Sequence, residues 1–179
     1  KKCKIFDEKT IVTCYTGRSM RIKVRKHERR GYQSIKMSNI LEKQFLKQRN
    51  DFEKSCVERD KKYHFPQGVI FETDIAYAKD KNKAHRLDRY RPKGKEAQIL
   101  PVIINVHGGG LLLGNKEFNK YFCALLSKKG FLVYSMEYRL IPDCTFFDQL
   151  RDIFLAMDFV KEHAAADGGD LSHVYLVGD

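Results

Sequence analysis

Three short, strongly apolar runs at residues 102–106, 131–138 and 173–179 alternate with two amphipathic stretches of helical length. This alternation constrains the fold more than any other feature of the 179-residue chain. The runs VIINV, FLVYSMEY and HVYLVGD are short, rich in β-branched and aromatic residues, and apolar at nearly every position. Such runs read as strands covered on both faces, as in a parallel sheet. Between the first two lies FNKYFCALLSKKG, with Phe118, Phe122, Leu125 and Leu126 expected on one inward face. Lys128 and Lys129 fall in its last turn, with Gly130 as the stop. Between the second and third lies TFFDQLRDIFLAMDFVKEH. Thr145 and Asp148 are a plausible cap there, and Phe146, Phe147, Leu150, Ile153, Phe154 and Met157 are expected inward. A strand–helix–strand–helix–strand order implies a parallel sheet joined by right-handed crossovers.

Upstream the pattern weakens. Residues 69–77 alternate Val69, Phe71, Thr73, Ile75 and Tyr77 on one face, the pattern of a half-buried strand. A polar turn at residues 79–84 leads to a returning strand, HRLDRYRP, which Pro92 ends. Residues 39–60 read as an amphipathic helix with Leu41, Phe45, Phe52 and Cys56 on its stripe and Asn39 with Glu42 resembling a capping box. Its single stripe suggests packing onto a neighbour. A hairpin is plausible at residues 10–24, followed by a basic cluster from Arg21 to Arg30.

Composition narrows the classes of function. Hydrophobic residues make up 42% of the chain, too many for a disordered protein. No apolar run approaches the roughly 18 residues of a membrane span, and no secretory h-region follows Lys1-Lys2-Cys3-Lys4. The net charge is +11, yet residues 101–179 hold 7 Lys or Arg against 10 Asp or Glu, so the basic excess lies upstream. A nucleic-acid-binding arm in residues 1–60 is one reading; a solvated face is preferred, because no aromatic interleaving accompanies the charge. Five widely spaced cysteines without a C-x-x-C pair argue against a zinc ribbon or thioredoxin-like site and fit a reduced, cytoplasmic setting. Asp143, Asp148 and Asp152 could be taken as a metal cluster, but carboxylates at the start and outer face of a helix are ordinary caps and solvated groups. No metal or organic cofactor is expected. Oligomeric state is not legible.

The stretch NVHGGGLLLGN, residues 105–115, carries the chemistry. Three consecutive glycines directly after a buried strand free the backbone for unusual angles and close approach to a ligand. Such a loop serves either to cradle phosphate or to aim N–H groups at a developing oxyanion. The phosphate fingerprints are not met: Leu111-Leu112-Leu113 follows the glycines, with no Lys-Ser/Thr pair and no further glycine at the required offset. A strand followed by His-Gly-Gly-Gly fits the oxyanion loop of lipases and esterases. A glycine-rich turn without catalytic meaning is the plain alternative.

Four stretches, in order, resemble the hormone-sensitive-lipase-like branch of the α/β-hydrolases, the HGGG carboxylesterases. They are HRLDRYRP, PVIINVHGGGLLLGN, MEYRLIPDCTFFDQLRDIFLAMDFV and VYLVGD. The likeness covers residues 69–179, and residues 1–60 match no named pattern, although a cap-like role for the 39–60 helix is compatible with it. The resemblance implies a three-layer α/β-hydrolase sheet, of which this chain would hold the N-terminal half. It divides the chain into a basic region with a cap-like helix, 1–60, and a partial hydrolase domain, 61–179. It assigns the oxyanion amides to Gly108, Gly109 and Gly110. His107, Tyr138, Arg139 and Asp179 become structural residues near the site. His163 and His173, by their positions at a helix end and a strand start, are expected to be exposed and non-catalytic. VGD resembles the opening of the family's nucleophile elbow, so the serine would follow Asp179 directly and the rest of the triad later. The implied function is a serine carboxylesterase acting on short-chain or acetyl esters, with this piece inactive by itself. A non-catalytic module that binds a small molecule on the same scaffold is the alternative. Two departures stand out: Leu111-Leu112-Leu113-Gly114 lies where an aromatic often occurs, and Pro142-Asp143-Cys144 replaces a more usual Pro-Glu-His.

Overall fold

The computed structural model describes residues 39–178. The hairpin and basic cluster expected before residue 39, and Asp179, lie outside the described residues. The described residues belong to one compact unit. Among them, three helices and five strands follow in the order α1 (Asn39–Asp60), β1 (Val69–Ala76), β2 (Arg86–Pro92), β3 (Leu100–Val106), α2 (Lys120–Lys128), β4 (Leu132–Met136), α3 (Phe146–His163) and β5 (Gly169–Gly178).

The strands form one mixed sheet in the order β1-β2-β4-β3-β5. The three apolar runs become β3, β4 and β5, with β3 parallel to both of its neighbours. β2 runs antiparallel to both β1 and β4. After β3 the chain crosses through α2 to one side of it, and after β4 it crosses through α3 to the other. Ligands of open α/β sheets collect at such a reversal, beyond the carboxyl ends of the strands.

Alternation along the strands separates two apolar layers. Val102, Ile104, Leu132, Tyr134 and Met136 meet Ala156 and Val160 of α3. Tyr90, Ile103 and Val133 meet Cys123 and Ala124 of α2 on the opposite face. Helix, sheet and helix therefore make three layers. Cys123 is the small core residue expected from the sequence, and burial pushes its thiol up to about 12.

Both core helices bury smaller or more polar residues than their apolar spacing suggests, although the expected Leu126, Ile153 and Met157 do pack against the core. In α2 the buried residues are Cys123, Ala124 and Ser127, while Phe122 and Leu125 are exposed. Small side chains let the helix lie close over Tyr90, whose ring already stacks with Phe65 and Phe71. In α3 the buried residues are Gln149, Asp152, Ala156 and Val160; Phe146, Phe147 and Phe154 are exposed. The polar pair is drawn inward by partners that the helix pattern does not reveal, the Arg139 guanidinium and two backbone carbonyls. Asp152 is thus fully buried and lies on no outer face. The α3 cap is as expected: Thr145 Oγ1 accepts from the Asp148 N–H, and the Asp148 carboxylate accepts from the Thr145 N–H at 3.0 Å.

β1 likewise departs from simple alternation. Glu72 pairs with Arg89 and Ile75 with Leu87, so Thr73 and Asp74 face one residue, Asp88. This bulge reverses the parity of the strand. Val69 packs on the α2 side and Ile75 on the α3 side, where one shared face was expected. Its anchor is a buried ion pair. The Asp88 carboxylate accepts from the Asp74 N–H at 3.0 Å and pairs with Lys116 Nζ at 2.9 Å. Burial raises the Asp88 pKa, opposed by its hydrogen bonds from Lys116 and Asp74. For Lys116, burial works against the charge, but hydrogen bonds to Asp88 and Asp74 outweigh it and raise the pKa.

α1 presents Phe45, Arg49, Phe52, Cys56 and Arg59 as its partly covered stripe. Phe52 meets the Phe118 ring at 5.2 Å, Arg59 donates to the Phe118 carbonyl, and Lys120 pairs with Asp60 at 2.6 Å. The partner implied by the single stripe is therefore the segment that enters α2.

Candidate active site

The loop after β3 is shaped by positions that only glycine fills without strain. Gly109, Gly110 and Gly114 have φ of 123°, 62° and 93°. A Cβ on Gly109 would lie 2.1 Å from the Leu113 carbonyl oxygen, and one on Gly114 would lie 2.6 Å from His107 Nδ1. The close approach arises because the loop folds back on itself: the Leu112 and Leu113 N–H groups both donate to the Gly109 carbonyl, at 3.2 and 3.0 Å. Leu111 completes the turn at φ 70°, a left-handed angle that costs a side-chain-bearing residue about 1–2 kcal/mol.

His107 and Tyr138 brace this turn from beneath. Their rings stack at 4.3 Å, and the Tyr138 hydroxyl donates to the His107 carbonyl at 2.7 Å. His107 Nδ1 lies 2.9 Å from the Gly108 carbonyl and Nε2 lies 3.3 Å from Glu137 Oε1. Both ring nitrogens of this buried histidine thus face protein acceptors. The other Glu137 oxygen accepts from the Lys116 N–H at 2.9 Å, so one carboxylate grips both ends of the loop. Sequence reasoning missed Glu137, which stands beside the expected Tyr138-Arg139 pair and carries no motif of its own.

Arg139 faces α3. Its Nε and Nη2 donate to the two Asp152 oxygens at 2.9 and 2.7 Å, and those bonds hold it firmly charged. His85 Nε2 approaches the same carboxylate at 3.1 Å. Arg139 therefore spends its half-buried guanidinium on a fork with the buried Asp152, a strong and geometrically specific pair. Gln149 sits on the same face of α3 and donates to the Leu111 and Arg139 carbonyls, both at 2.9 Å.

A cavity of about 320 Å³ opens above these groups, lined by Gly108, Gly109 and Gly110 together with Leu111, Phe146, Leu150 and others. It lies beyond the carboxyl ends of β3 and β5, where Gly178 forms part of its wall. Among the described residues, no Lys, Arg, Asp or Glu side chain lines it. Among the described residues, no acceptor takes the N–H of Gly109 or Gly110. Two backbone donors are thereby left beside a largely apolar space.

The remaining expected residues lie elsewhere. His163 is exposed and bonds the Phe159 carbonyl at the end of α3. His173 pairs with Asp170 at the start of β5, at the opposite end of the sheet. Ser172 adjoins both, but its hydroxyl and the Asp170 carboxylate meet the same nitrogen, His173 Nδ1. A nucleophile, base and acid in relay need the two ring nitrogens to divide these roles, so this Ser-His-Asp group is not a relay. Among the described residues no cluster of three or more His, Cys, Asp or Glu is placed to hold a metal. No helix among them is long and apolar enough to cross a membrane.

A three-layer sheet with a glycine-shaped loop at the carboxyl end of its central parallel strand is the α/β-hydrolase arrangement. Solved esterases share it. Esterase B from Lactobacillus rhamnosis superposes with a TM-score of 0.69 at 30% identity, over 78% of this chain and 46% of that one. A bacterial heroin esterase gives 0.63 at 27%, over 73% and 41%. The chain belongs to the BD-FAE family, whose model matches residues 87–179, within the hormone-sensitive-lipase-like carboxylesterases. Isoprenylcysteine alpha-carbonyl methylesterase of Arabidopsis thaliana is 31% identical over 94 residues, which are 52% of this chain and 22% of that protein. The chain thus spans about a fifth of the length of the curated relatives it matches and under half of the solved esterases.

Proposed function

We propose that this chain supplies the oxyanion half of a serine carboxylesterase that cleaves small, uncharged esters of short acyl chains. The observation that carries this reading is the pair of amides, Gly109 and Gly110, that no acceptor takes among the described residues, on a cavity wall that no Lys, Arg, Asp or Glu side chain of those residues lines. As a serine hydroxyl attacks the ester carbonyl, negative charge develops on the carbonyl oxygen. Donors already aimed at that point need no reorganisation, and each contributes about 2.7–4 kcal/mol to the transition state. Gly108, next in the same loop, is assigned as a supporting donor. The nucleophile is assigned to the residue after Asp179, at the mouth of the cavity where β5 delivers Gly178. His107, with both nitrogens engaged inside the loop, is assigned to shaping the site and not to the role of general base. Tyr138 and Arg139 hold the floor and the α3 wall, and Asp179 stabilises the elbow.

On this reading the 179-residue chain does not turn over esters, whereas the same chain extended through its natural downstream residues does. Hydrolysis of p-nitrophenyl acetate by the two proteins checks this. Enzyme-level turnover by the shorter protein would refute the division of the site. Absence of turnover by the extended protein, with retained binding of a small ester analogue, would establish a binding module on the same scaffold.

A further inference from the structure

α1 reaches the glycine loop through one side chain. The Arg49 guanidinium is largely buried, and each arm has a partner. Nε donates to the Leu112 carbonyl at 3.1 Å, Nη2 to the Ile141 carbonyl at 2.8 Å, and Nη1 to Asp143 Oδ2 at 3.1 Å. The first two partners lie on different loops, one after β3 and one after β4. Those loops are themselves joined, because the Ile141 N–H donates to the Leu111 carbonyl at 3.1 Å. Leu112 also donates to the Gly109 carbonyl. A closed circuit results: Arg49, Leu112, Gly109 on one side and Arg49, Ile141, Leu111 on the other.

The Gly109 carbonyl belongs to the peptide unit whose N–H is that of Gly110. Rotating that unit would move a proposed oxyanion donor and release the Leu112 and Leu113 bonds together. Three glycines impose almost no preference of their own on this rotation. The surrounding bonds must fix it, and Arg49 is the member of the set that comes from outside the sheet and its crossovers. A planar fork suits the task because it addresses two carbonyls and a carboxylate at fixed relative angles; a lysine ammonium is a point charge without that geometry.

We propose that Arg49 is a positioning residue for the oxyanion amides, so that α1 is part of the catalytic apparatus and not merely a cover. Its catalytic consequence rests on the esterase reading; its effect on the loop does not. Two readouts keep the failures apart. In the 179-residue chain, Arg49→Ala speeds exchange of the Leu112 and Leu113 amides, the two that donate to the Gly109 carbonyl, by about tenfold or more, while β3 and β4 keep their protection. Arg49→Lys restores this only in part. Arg59→Ala, which frees α1 from the Phe118 carbonyl without touching the glycine loop, leaves exchange at Leu112 and Leu113 unchanged. In the extended protein, Arg49→Ala lowers kcat by about 10²-fold, the scale of an ångström-level misplacement, with KM nearly unchanged.

Unchanged loop exchange in Arg49→Ala would overturn the proposal. So would an equal acceleration across β3 and β4, which would reduce Arg49 to general stabilisation. Faster loop exchange with wild-type kcat would overturn the positioning role. A wild-type extended protein without ester turnover would sink the esterase reading, and the exchange result would still decide whether Arg49 holds the loop.

Discussion

Gly109 and Gly110 are neighbours with positive φ, yet an added methyl group meets different surroundings at each. At Gly109 it would strike the Leu113 carbonyl at 2.1 Å, backbone that cannot swing aside; at Gly110 nothing lies within 4 Å. Gly110→Ala therefore carries the left-handed penalty alone, about 1–2 kcal/mol. Gly109→Ala carries a comparable backbone cost and must also break the turn closed by Leu112 and Leu113. Its expected loss is larger by about 1–3 kcal/mol, the scale of forcing a residue into a disallowed setting. Urea unfolding of the two variants checks the order, and equal losses would show that the loop repacks freely around Gly109. At this scale the sequence was informative where chemistry depends on a missing side chain. Three glycines after a strand announce backbone angles that other residues resist, and Gly109 and Gly110 adopt them. Arg49 and Glu137 could not be read in advance, because their partners, Leu112, Ile141 and Lys116, are distant in the chain or offer only backbone groups.

Strands and helices were legible as elements, and less so as faces. Alternation located β1 but could not register the two-against-one pairing at Thr73 and Asp74, which depends on the opposing Asp88. Apolar spacing located α2 and α3 but credited their large aromatics with the core. Burial follows space and partners as well as hydrophobicity: Cys123 and Ala124 fit over a crowded sheet, and Asp152 enters because Arg139 receives it. The β1 bulge offers a test of the same principle. Lys116→Met strands the fully buried Asp88 carboxylate with the Asp74 N–H as its remaining donor, and is expected to cost about 3–5 kcal/mol. Replacing both partners, Lys116→Met with Asp88→Leu, removes the buried charge and should recover most of that loss, short of the forfeited Asp74 bond. Denaturant midpoints of the single and double variants measure the difference. A double variant no better than the single one would mean that the pair specifies the bulge itself, and that β1 loses its register without it.

Taken as a whole, the sheet is well covered at its centre and poorly covered at one side. β4 is buried at every position, whereas β5 exposes Val174, Tyr175 and Leu176, the last at 55%. The edge of β5 away from β3 faces no strand among the described residues, and Phe122 and Leu125 are exposed on α2. An apolar edge strand with free backbone groups is a template for pairing with another chain. The 179-residue chain is therefore expected to self-associate at concentrations on the order of micromolar, the range in which exposed apolar surface and unpaired edges cause assembly. Leu176→Lys places a charge on that strand at an already exposed position, where its cost to the fold is small. It should shift sedimentation towards the monomer, while Val57→Lys on the exposed face of α1 should not. If both charges act alike, the association is general and driven by net apolar area. If neither acts, the edge of β5 is protected by its own twist and bulge at residues 171–173, and the apolar residues there pack within the chain in solution.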